Sequence, residues 1–499
     1  MRTELTRFAL RSCAALSLLM LFAQGSGVAQ ESPQVGLNSP VLVPPLPFDG
    51  IAAGPLNGIN NPDVNGAVGD TQFVQWQNAR GQNGAWGQYA VYDKTTGNQL
   101  GLFAGGQPWK GLGGACPLPV NSLQNIVQYD KAAGRWVMVR HVYPKTPPNY
   151  LCIAVSQTSD ATGKWNKYAY ALGSSAFCPT CGPSDQLDYP KLGVWPDAYY
   201  TSFNLRTSSS PSTFINAEVC AFDRQSMLAG GTAAHPVCFN AGSTYSSLLP
   251  SDLDGSTSPP TGSPNYYMSL GANFLNLWQF HVDFATPSKS TFTGPNNIAV
   301  ASFMQACPVR KVCIPQLGTP TQLLRAWSDR LMYRLAYRNF GDHESIVTAH
   351  AVNPTTNAYS AIRWYEIRSP GSRPTIYQGA TWQPDDTSRW MMSIAMDKVG
   401  DIAVGYSESS GSQYPAIAFT GRTPTDPPGL ETPEKFISPA CPTGQTCNQV
   451  FNPGWGSYTS MSVDPVDDCT FWYTNQYYIQ QGSKIWNTRI ASFKFPSCQ

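Results

Sequence analysis

An all-β chain folded as a single β-propeller is what this sequence predicts, with seven blades of four-stranded antiparallel sheet closed by an N-terminal strand. Three observations lead there. A unit of hydrophobic strand, tight Asp- or Gly-bearing turn and aromatic strand recurs about every sixty to seventy residues, and strand-built repetition marks radial or linear arrays. Ala67-Val68-Gly69-Asp70 leads into Phe73-Val74-Gln75-Trp76, and Ile126-Val127-Gln128-Tyr129-Asp130 into Trp136-Val137-Met138-Val139. The shape returns at Leu192 to Asp197 before Tyr199-Tyr200, at Ser393 to Asp397 before Ile402-Ala403-Val404, and at Met461 to Asp464 before Thr470 to Tyr473. Second, β-branched and aromatic residues alternate between Gly, Pro, Asn, Asp and Ser turns, and amphipathic helical series are rare; the chain holds 24 Tyr and 14 Trp against 43 Gly and 42 Pro. Third, 499 residues would ordinarily mean two or three domains, but a repeat array stays one domain.

Residues 1–29 read as a signal peptide. Arg2, Arg7 and Arg11 form the basic region, Ser12 to Ala23 the apolar stretch, and Gly27 and Ala29 the small residues ahead of cleavage. The apolar stretch is too short to span a bilayer, so the expected location is secreted or periplasmic, without membrane insertion. Residues 30–60, with Pro44, Pro45 and Pro47, form a Pro-rich lead-in, and 61–499 the propeller. The first unit places strands at 66–69, 73–79, 88–93 and 98–103, and the second at 126–129, 135–142, 151–157 and 164–171. The third starts at Tyr189 and passes 199–203, 217–222 and 236–239. The fourth, least regular, uses 266–270, 275–284 and 297–303. The fifth holds 331–338, 345–352, 361–367 and 375–377; the sixth 392–396, 402–406 and 416–420. The seventh has three strands, 459–463, 470–475 and 486–495, so the lead-in at 41–43 or 48–51 is expected to supply its missing edge. Prolines suit an edge strand, and closure removes the open edge. Gly/Ser/Pro/Thr-rich stretches at 207–214, 241–264 and 421–435 read as surface loops.

Thirteen cysteines less Cys13 of the signal region leave twelve, an even number that suits disulfides in an oxidising compartment. Proximity favours Cys116–Cys152, Cys178–Cys181, Cys220–Cys238, Cys307–Cys313, Cys441–Cys447 and Cys469–Cys498. Cys178-Pro179-Thr180-Cys181 reads as a tight loop staple; its functional alternative is a redox motif or half a zinc site. Charged residues are 13% of the chain, against about 25% in typical domains, and removing the signal region leaves 29 basic against 30 acidic residues. With no basic stripe and no polybasic helix, nucleic-acid and membrane-surface partners are not expected, and the protein reads as a monomer.

Asp188 to Asp197, Leu331 to Ser345 and Met461 to Tyr473 resemble segments of a group of uncharacterised secreted bacterial β-propeller proteins, sialidase-like in fold. The resemblance implies a fold and no particular activity. Sialidases draw their arginines from different blades and add a Tyr–Glu pair and a separate acid; here the arginines share one predicted strand. Strict Asp-boxes (Ser-x-Asp-x-Gly-x-x-Trp) are absent, and Ser393 to Asp397 and Ser460 to Asp464 only echo them, with turn Asp residues in the usual structural role.

The densest charge lies between Arg330 and Glu344. On a strand over 331–338, Arg330, Arg334 and Arg338 project to one side. Buried guanidiniums need carboxylates, water or an anionic ligand, and Asp342, His343 and Glu344 offer acid–base groups at the following turn. Arg330, Arg334, Asp342, His343 and Glu344 are therefore the catalytic candidates, against the plainer reading of an inter-blade ion-pair network. Asp188, Tyr189, Arg389 and Tyr458 lie near the starts of inner strands, at one mouth of the ring, and are the ligand-binding candidates; aromatics there suit sugar stacking, or simply inter-blade packing. No metal site or cofactor is expected, although Ser251 to Gly255 and Asp464 to Asp468 carry oxygens of the kind structural calcium takes, without EF-hand spacing. No Gly-x-Ser-x-Gly elbow, P-loop, dinucleotide fingerprint or His-Glu-x-x-His occurs. Three functions follow: binding a carbohydrate or cell-surface polymer through the mouth loops; hydrolysis or lysis of an anionic glycan; or a structural or adhesion scaffold.

Overall fold

The inner strand of each propeller blade has a neighbour within its own sheet on one side only, and the architecture is the way seven such edges are brought together. The computed structural model describes residues 38–499 except 54–60, 81–85, 121, 123, 175–176, 179, 233–234, 310, 355–357, 430, 440, 442–446, 449–452 and 480–485. The signal region and the first part of the lead-in lie outside the described residues. Asn38–Gln499 form one compact unit.

Blade one is Asn65–Val68, Gln72–Arg80, Trp86–Asp93 and Gln99–Ala104; blade two is Ile126–Asp130, Arg135–Val142, Tyr150–Ser156 and Trp165–Ala171. Blade three is Gln186–Val194, Ala198–Arg206, Phe214–Asp223 and Val237–Asn240; blade four is Leu249–Asp254, Asn265–Leu270, Phe274–His281 and Thr291–Ala299. Blade five is Leu335–Asn339, Glu344–Asn353, Ala361–Arg368 and Thr375–Trp382; blade six is Ser388–Met396, Ile402–Ser410, Gln413–Arg422 and Lys435–Phe436. Blade seven is Ser460–Val463, Phe471–Tyr477 and Asn487–Lys494, completed by Val41–Leu42, which pairs antiparallel with Phe493 and Lys494. Phe48–Asp49 pairs with the same C-terminal strand at Ile490 and Arg489. Cys469–Cys498 fastens the chain end to this blade.

The inner strands stand side by side from blade one to blade seven and back to blade one. Between most blades they diverge too far for a ladder, and side chains bridge the gap. Asn65 Oδ1 accepts from Val127 N at 2.7 Å, and Asp252 Oδ1 from Val194 N at 2.9 Å. Ser393 Oγ accepts from Met461 N at 3.0 Å, and Ser462 Oγ from Val68 N at 3.2 Å, which stitches the last blade to the first. A buried backbone donor left unpaired would cost about 1–3 kcal/mol, so polar residues on these strands are structural. Blades four and five instead pair directly, Ser251–Asp254 running parallel to Leu335–Arg338. Between the sheets lies an aromatic core in which Trp76, Trp136, Trp195, Trp364, Trp390 and Trp472 are buried.

Two sequence-based boundaries move. The stretch 241–264, expected as a loop, contains the inner strand of blade four, Leu249–Asp254. Its sequence Leu-Pro-Ser-Asp-Leu-Asp looks loop-like because its carboxylates are satisfied from blade five. The strand expected over 331–338 starts at Leu335, and Leu331 to Arg338 is buried throughout, so the expected alternation of inward and outward faces does not exist there.

The structure joins Cys116–Cys152, Cys178–Cys181, Cys220–Cys238, Cys307–Cys313, Cys441–Cys447 and Cys469–Cys498. Because Cys469–Cys498 anchors the strand that also receives the N-terminal edge, Cys498→Ser is expected to lower stability by about 2–4 kcal/mol. A shift in the urea unfolding midpoint measures this; an unchanged midpoint would show that strand pairing alone closes the ring.

Candidate functional site

The approaches to the inner strands share an unusual backbone. Asp63, Gln124, Tyr189, Ser247, Trp327 and Met391, leading into or opening the inner strands of blades one to six, all have φ between +45° and +56°. This left-handed region costs a non-Gly residue roughly 1–2 kcal/mol, and such strain gathers where surrounding structure fixes a special geometry. Tyr189 illustrates its effect. The ladder of blade three slips between Asp188 and Lys191, and Tyr189 and Lys191 on either side of Pro190 are both buried.

A cavity of about 430 Å³ opens at this mouth, lined among others by Asp188, Arg206, Phe214, Lys311, Trp327, Asp329, Arg330 and Tyr458. The Arg330 guanidinium lies 4.6 Å from the Tyr189 ring centre and 4.9 Å from that of Trp327. Its Nε donates to Asp329 Oδ1 at 2.9 Å and its Nη2 to Oδ2 at 3.2 Å, while Nη1 has no partner among the described residues. Lys311 also pairs with Asp329. Although burial opposes it, Arg330 and Lys311 together hold the Asp329 carboxyl down at about 2.

Below this layer sits Lys191, 1% exposed. Its Nζ lies 3.9, 5.1 and 5.5 Å from the ring centres of Tyr189, Tyr458 and Tyr333, and donates to the Pro190 carbonyl at 2.8 Å. Among the described residues no carboxylate comes within ion-pair distance of it. Burial pushes this ammonium down to about 7, with Asp63 opposing the fall and Arg330 adding to it. Asp63 keeps some exposure at the edge of the ring, yet burial raises its carboxyl to about 7 against the Asn78 amide, which donates to it at 2.6 Å, and the Lys191 charge. The Tyr189 and Tyr458 rings meet edge-on at 5.2 Å, and the Tyr189 hydroxyl donates to the Leu331 carbonyl at 2.9 Å.

The structure gathers Asp188, Tyr189, Tyr458 and Arg330 at this mouth and places the other candidates elsewhere. Arg334 is 1% exposed; its Nη1 donates to Asp252 Oδ2 and Asp254 Oδ1, each at 2.9 Å, and its Nη2 pairs with Asp254, on which Lys131 also closes. Arg338 holds Asp468 through two bonds of 2.7 Å. The carboxylates of both loops weighed for calcium are thus engaged within the protein: Asp252 and Asp254 by Arg334, Asp468 by Arg338, Asp464 by Lys94, and Asp467 by Thr470. Asp342, His343 and Glu344 lie past the far end of the strand that Arg330 precedes, so the five catalytic candidates do not form one cluster. Asp342 is exposed and bonds the His343 Nδ1 at 2.8 Å, the imidazole stacks on Phe340 at 4.7 Å, and Glu344 accepts from the Tyr337 hydroxyl at 2.5 Å. Arg389 is buried within blade six, bound to Glu434 at 2.6 and 2.9 Å and to Asp385 at 2.9 Å.

Sequence reasoning passed over Lys191, Asp63, Trp327, Asp329, Lys311 and Arg206. Lys191 carried a usable signal, a lone ammonium within the strand-like run Tyr-Pro-Lys-Leu-Gly-Val. Trp327 and Asp329 had none, because they come from an irregular segment that only the ring brings to the mouth.

No protein-family model matches the chain, and no curated protein matches its sequence. Solved structures match it at low identity. An α-L-arabinofuranosidase from Fusarium graminearum, in complex with an iminosugar inhibitor, is 9% identical with a TM-score of 0.40, over 91% of this chain and 98% of its own. The hemagglutinin-neuraminidase of parainfluenza virus 5 is 10% identical with a TM-score of 0.38, over 76% and 93%. An ulvan lyase of a new polysaccharide lyase family is 10% identical with a TM-score of 0.36, over 88% and 94%. The likeness is one of fold, and no residue role is carried across.

Arg334→Ala would strand two buried carboxylates with Lys131 as their remaining cation. The expected loss is about 3–5 kcal/mol of stability, read from urea unfolding, while Asp342→Asn at the exposed turn leaves the midpoint where it was. An Arg334→Ala protein as stable as the parent would show that water already satisfies those carboxylates.

Proposed function

We propose that the protein is exported and binds a carbohydrate bearing an acidic group at the mouth where the inner strands begin. The observation that carries this reading is the make-up of the cavity. Phe214, Trp327 and Tyr458 supply aromatic surface, and Arg206, Lys311 and Arg330 outnumber Asp188 and Asp329. Aromatic faces suit the apolar faces of sugar rings, and an arginine with an unpaired nitrogen suits a carboxylate or sulfate. Six disulfides support an oxidising compartment. The test is calorimetric titration with matched acidic and neutral oligosaccharides. Acidic members are expected to bind, and Arg330→Ala to weaken them about tenfold or more, equivalent to about 1.4 kcal/mol. Equal binding of neutral and acidic members, or an Arg330→Ala protein that matches the parent, contradicts the reading.

The pH dependence has a definite sign. As pH rises through about 7, Lys191 loses its positive charge and Asp63 gains a negative one. The first removes an attraction for an anion and the second adds a repulsion, so affinity for an acidic glycan is expected to fall between pH 6 and pH 8. Asp63→Asn should flatten part of that fall and Lys191→Met another part. A profile that is flat over this range in the parent protein would place both groups out of the ligand's reach.

A second reading, a hydrolase or lyase acting on such a glycan, is favoured by the same pair. An amine and a carboxyl both poised near neutral pH are the kind of groups that exchange protons with a substrate. Product formation on the glycan panel separates the two readings. Turnover that Lys191→Met abolishes while binding persists supports an enzyme; binding without product leaves a recognition protein.

A further inference from the structure

Cys178 and Cys181 lie between the outer strand of blade two and the inner strand of blade three, against Glu218 on the third strand of blade three. The two sulfurs and a Glu218 carboxylate oxygen all lie within 4.8 Å of one another. Cys178 is 2% exposed, Cys181 4% and Glu218 2%. Glu218 Oε1 has no hydrogen-bond partner, and Glu218 makes no ion pair among the described residues. Asn216, two positions along the same strand face, carries a second buried oxygen without a partner, Oδ1. The Asn216 side chain bonds the Glu218 carboxyl, but Oε1 is left orphaned, which is expensive for a buried acid, and a disulfide gives that oxygen nothing to bond.

We infer that Cys178, Cys181 and Glu218 form a redox-gated site for a thiophilic divalent cation of the zinc class. In the oxidised form the site is closed by the sulfur–sulfur bond. A dithiol reductant would supply two electrons and two protons, break that bond, leave two thiols and itself become a cyclic disulfide. The cation then displaces both thiol protons and takes two thiolates and the Glu218 carboxylate. Zinc binds sulfur at about 2.3 Å and carboxylate oxygen at about 2.0–2.2 Å in a tetrahedron, so its ligand atoms stand roughly 3.5–3.8 Å apart. The Glu218 oxygen stands within 4.8 Å of both sulfurs, so side-chain rotation once the bridge opens has about an ångström to close, and a two-residue spacer between cysteines is the usual spacing of a zinc half-site. The fourth position falls to water or to Asn216 Oδ1.

Cobalt(II) is the probe, because thiolate ligation gives it a near-ultraviolet charge-transfer band. The full chain is treated with limiting dithiol, and alkylation with peptide mapping identifies which bridges have opened. The expected result is that Cys178–Cys181 opens with the fold intact, and one cobalt per chain then binds with the thiolate band. The band should be absent from the oxidised protein and from Cys178→Ser/Cys181→Ser. Glu218→Gln keeps all six bridges in its oxidised form, so it tests the site even where the double variant fails to fold; its cobalt affinity should fall by at least about tenfold. The proposal is overturned by a bridge that opens only when the protein unfolds, by an opened site without the band, or by undiminished affinity in Glu218→Gln.

Discussion

Seven inner strands converge on one axis, and each brings an edge of backbone donors and acceptors that its own sheet cannot satisfy. That constraint governs the rest of the molecule. Water is largely excluded there, so an unpaired amide carries its full desolvation cost. The chain answers seam by seam. Asn65, Asp252, Ser393 and Ser462 lend side-chain oxygens to a neighbouring blade, and blades four and five come close enough to pair in parallel. The same logic closes the ring. Val41–Leu42 and Phe48–Asp49 cover the edge of the C-terminal strand, which would otherwise be an open template for another chain.

The polar groups that this constraint forces inward are not treated alike along the axis. Arg334 and Arg338 are matched to Asp252, Asp254 and Asp468, and these pairs tie blade five to blades four and seven. At the other end the matching stops. Lys191 is held by rings and one carbonyl, and Arg330 spends only part of its guanidinium on Asp329. Six residues with left-handed backbone surround them. A protein needing only stability would have little reason to keep an unpaired ammonium beneath an open cavity, since burial strips its hydration without returning a carboxylate. The asymmetry between a paired end and an unpaired end is the physical ground on which a binding role at the mouth is proposed.

The same asymmetry separates the two uses of charge in the Arg330 to Glu344 segment. Density of charge along the chain is a one-dimensional quantity, and it merged groups that the fold pulls apart. Arg330 precedes the strand and Asp342 follows it, so the strand's length keeps them at opposite ends. Arg389 was drawn to the mouth by its position at the start of an inner strand, but Asp385 and Glu434 meet it inside blade six.

What the sequence alone determined is the repeating strand–turn–strand unit, the number of blades, the need for a closing edge from the lead-in, and aromatic packing between sheets. All of these depend on local pattern: alternation with period two, turn residues, and the count of strands per unit. Tertiary structure decided the rest. Leu249–Asp254 looks like a loop until Arg334 arrives from blade five to neutralise its carboxylates, and Trp327 looks like linker until the ring carries it to the cavity. Whether Lys191 is paired, and whether Arg330 has a nitrogen to spare, depends on which side chains the approaches to several different blades present at one point. No stretch of sequence contains that information, because beside neighbours such as Asp329 and Tyr189 the deciding groups include Tyr333 and Tyr458, more than a hundred residues from Lys191, which meet it only when the ring closes.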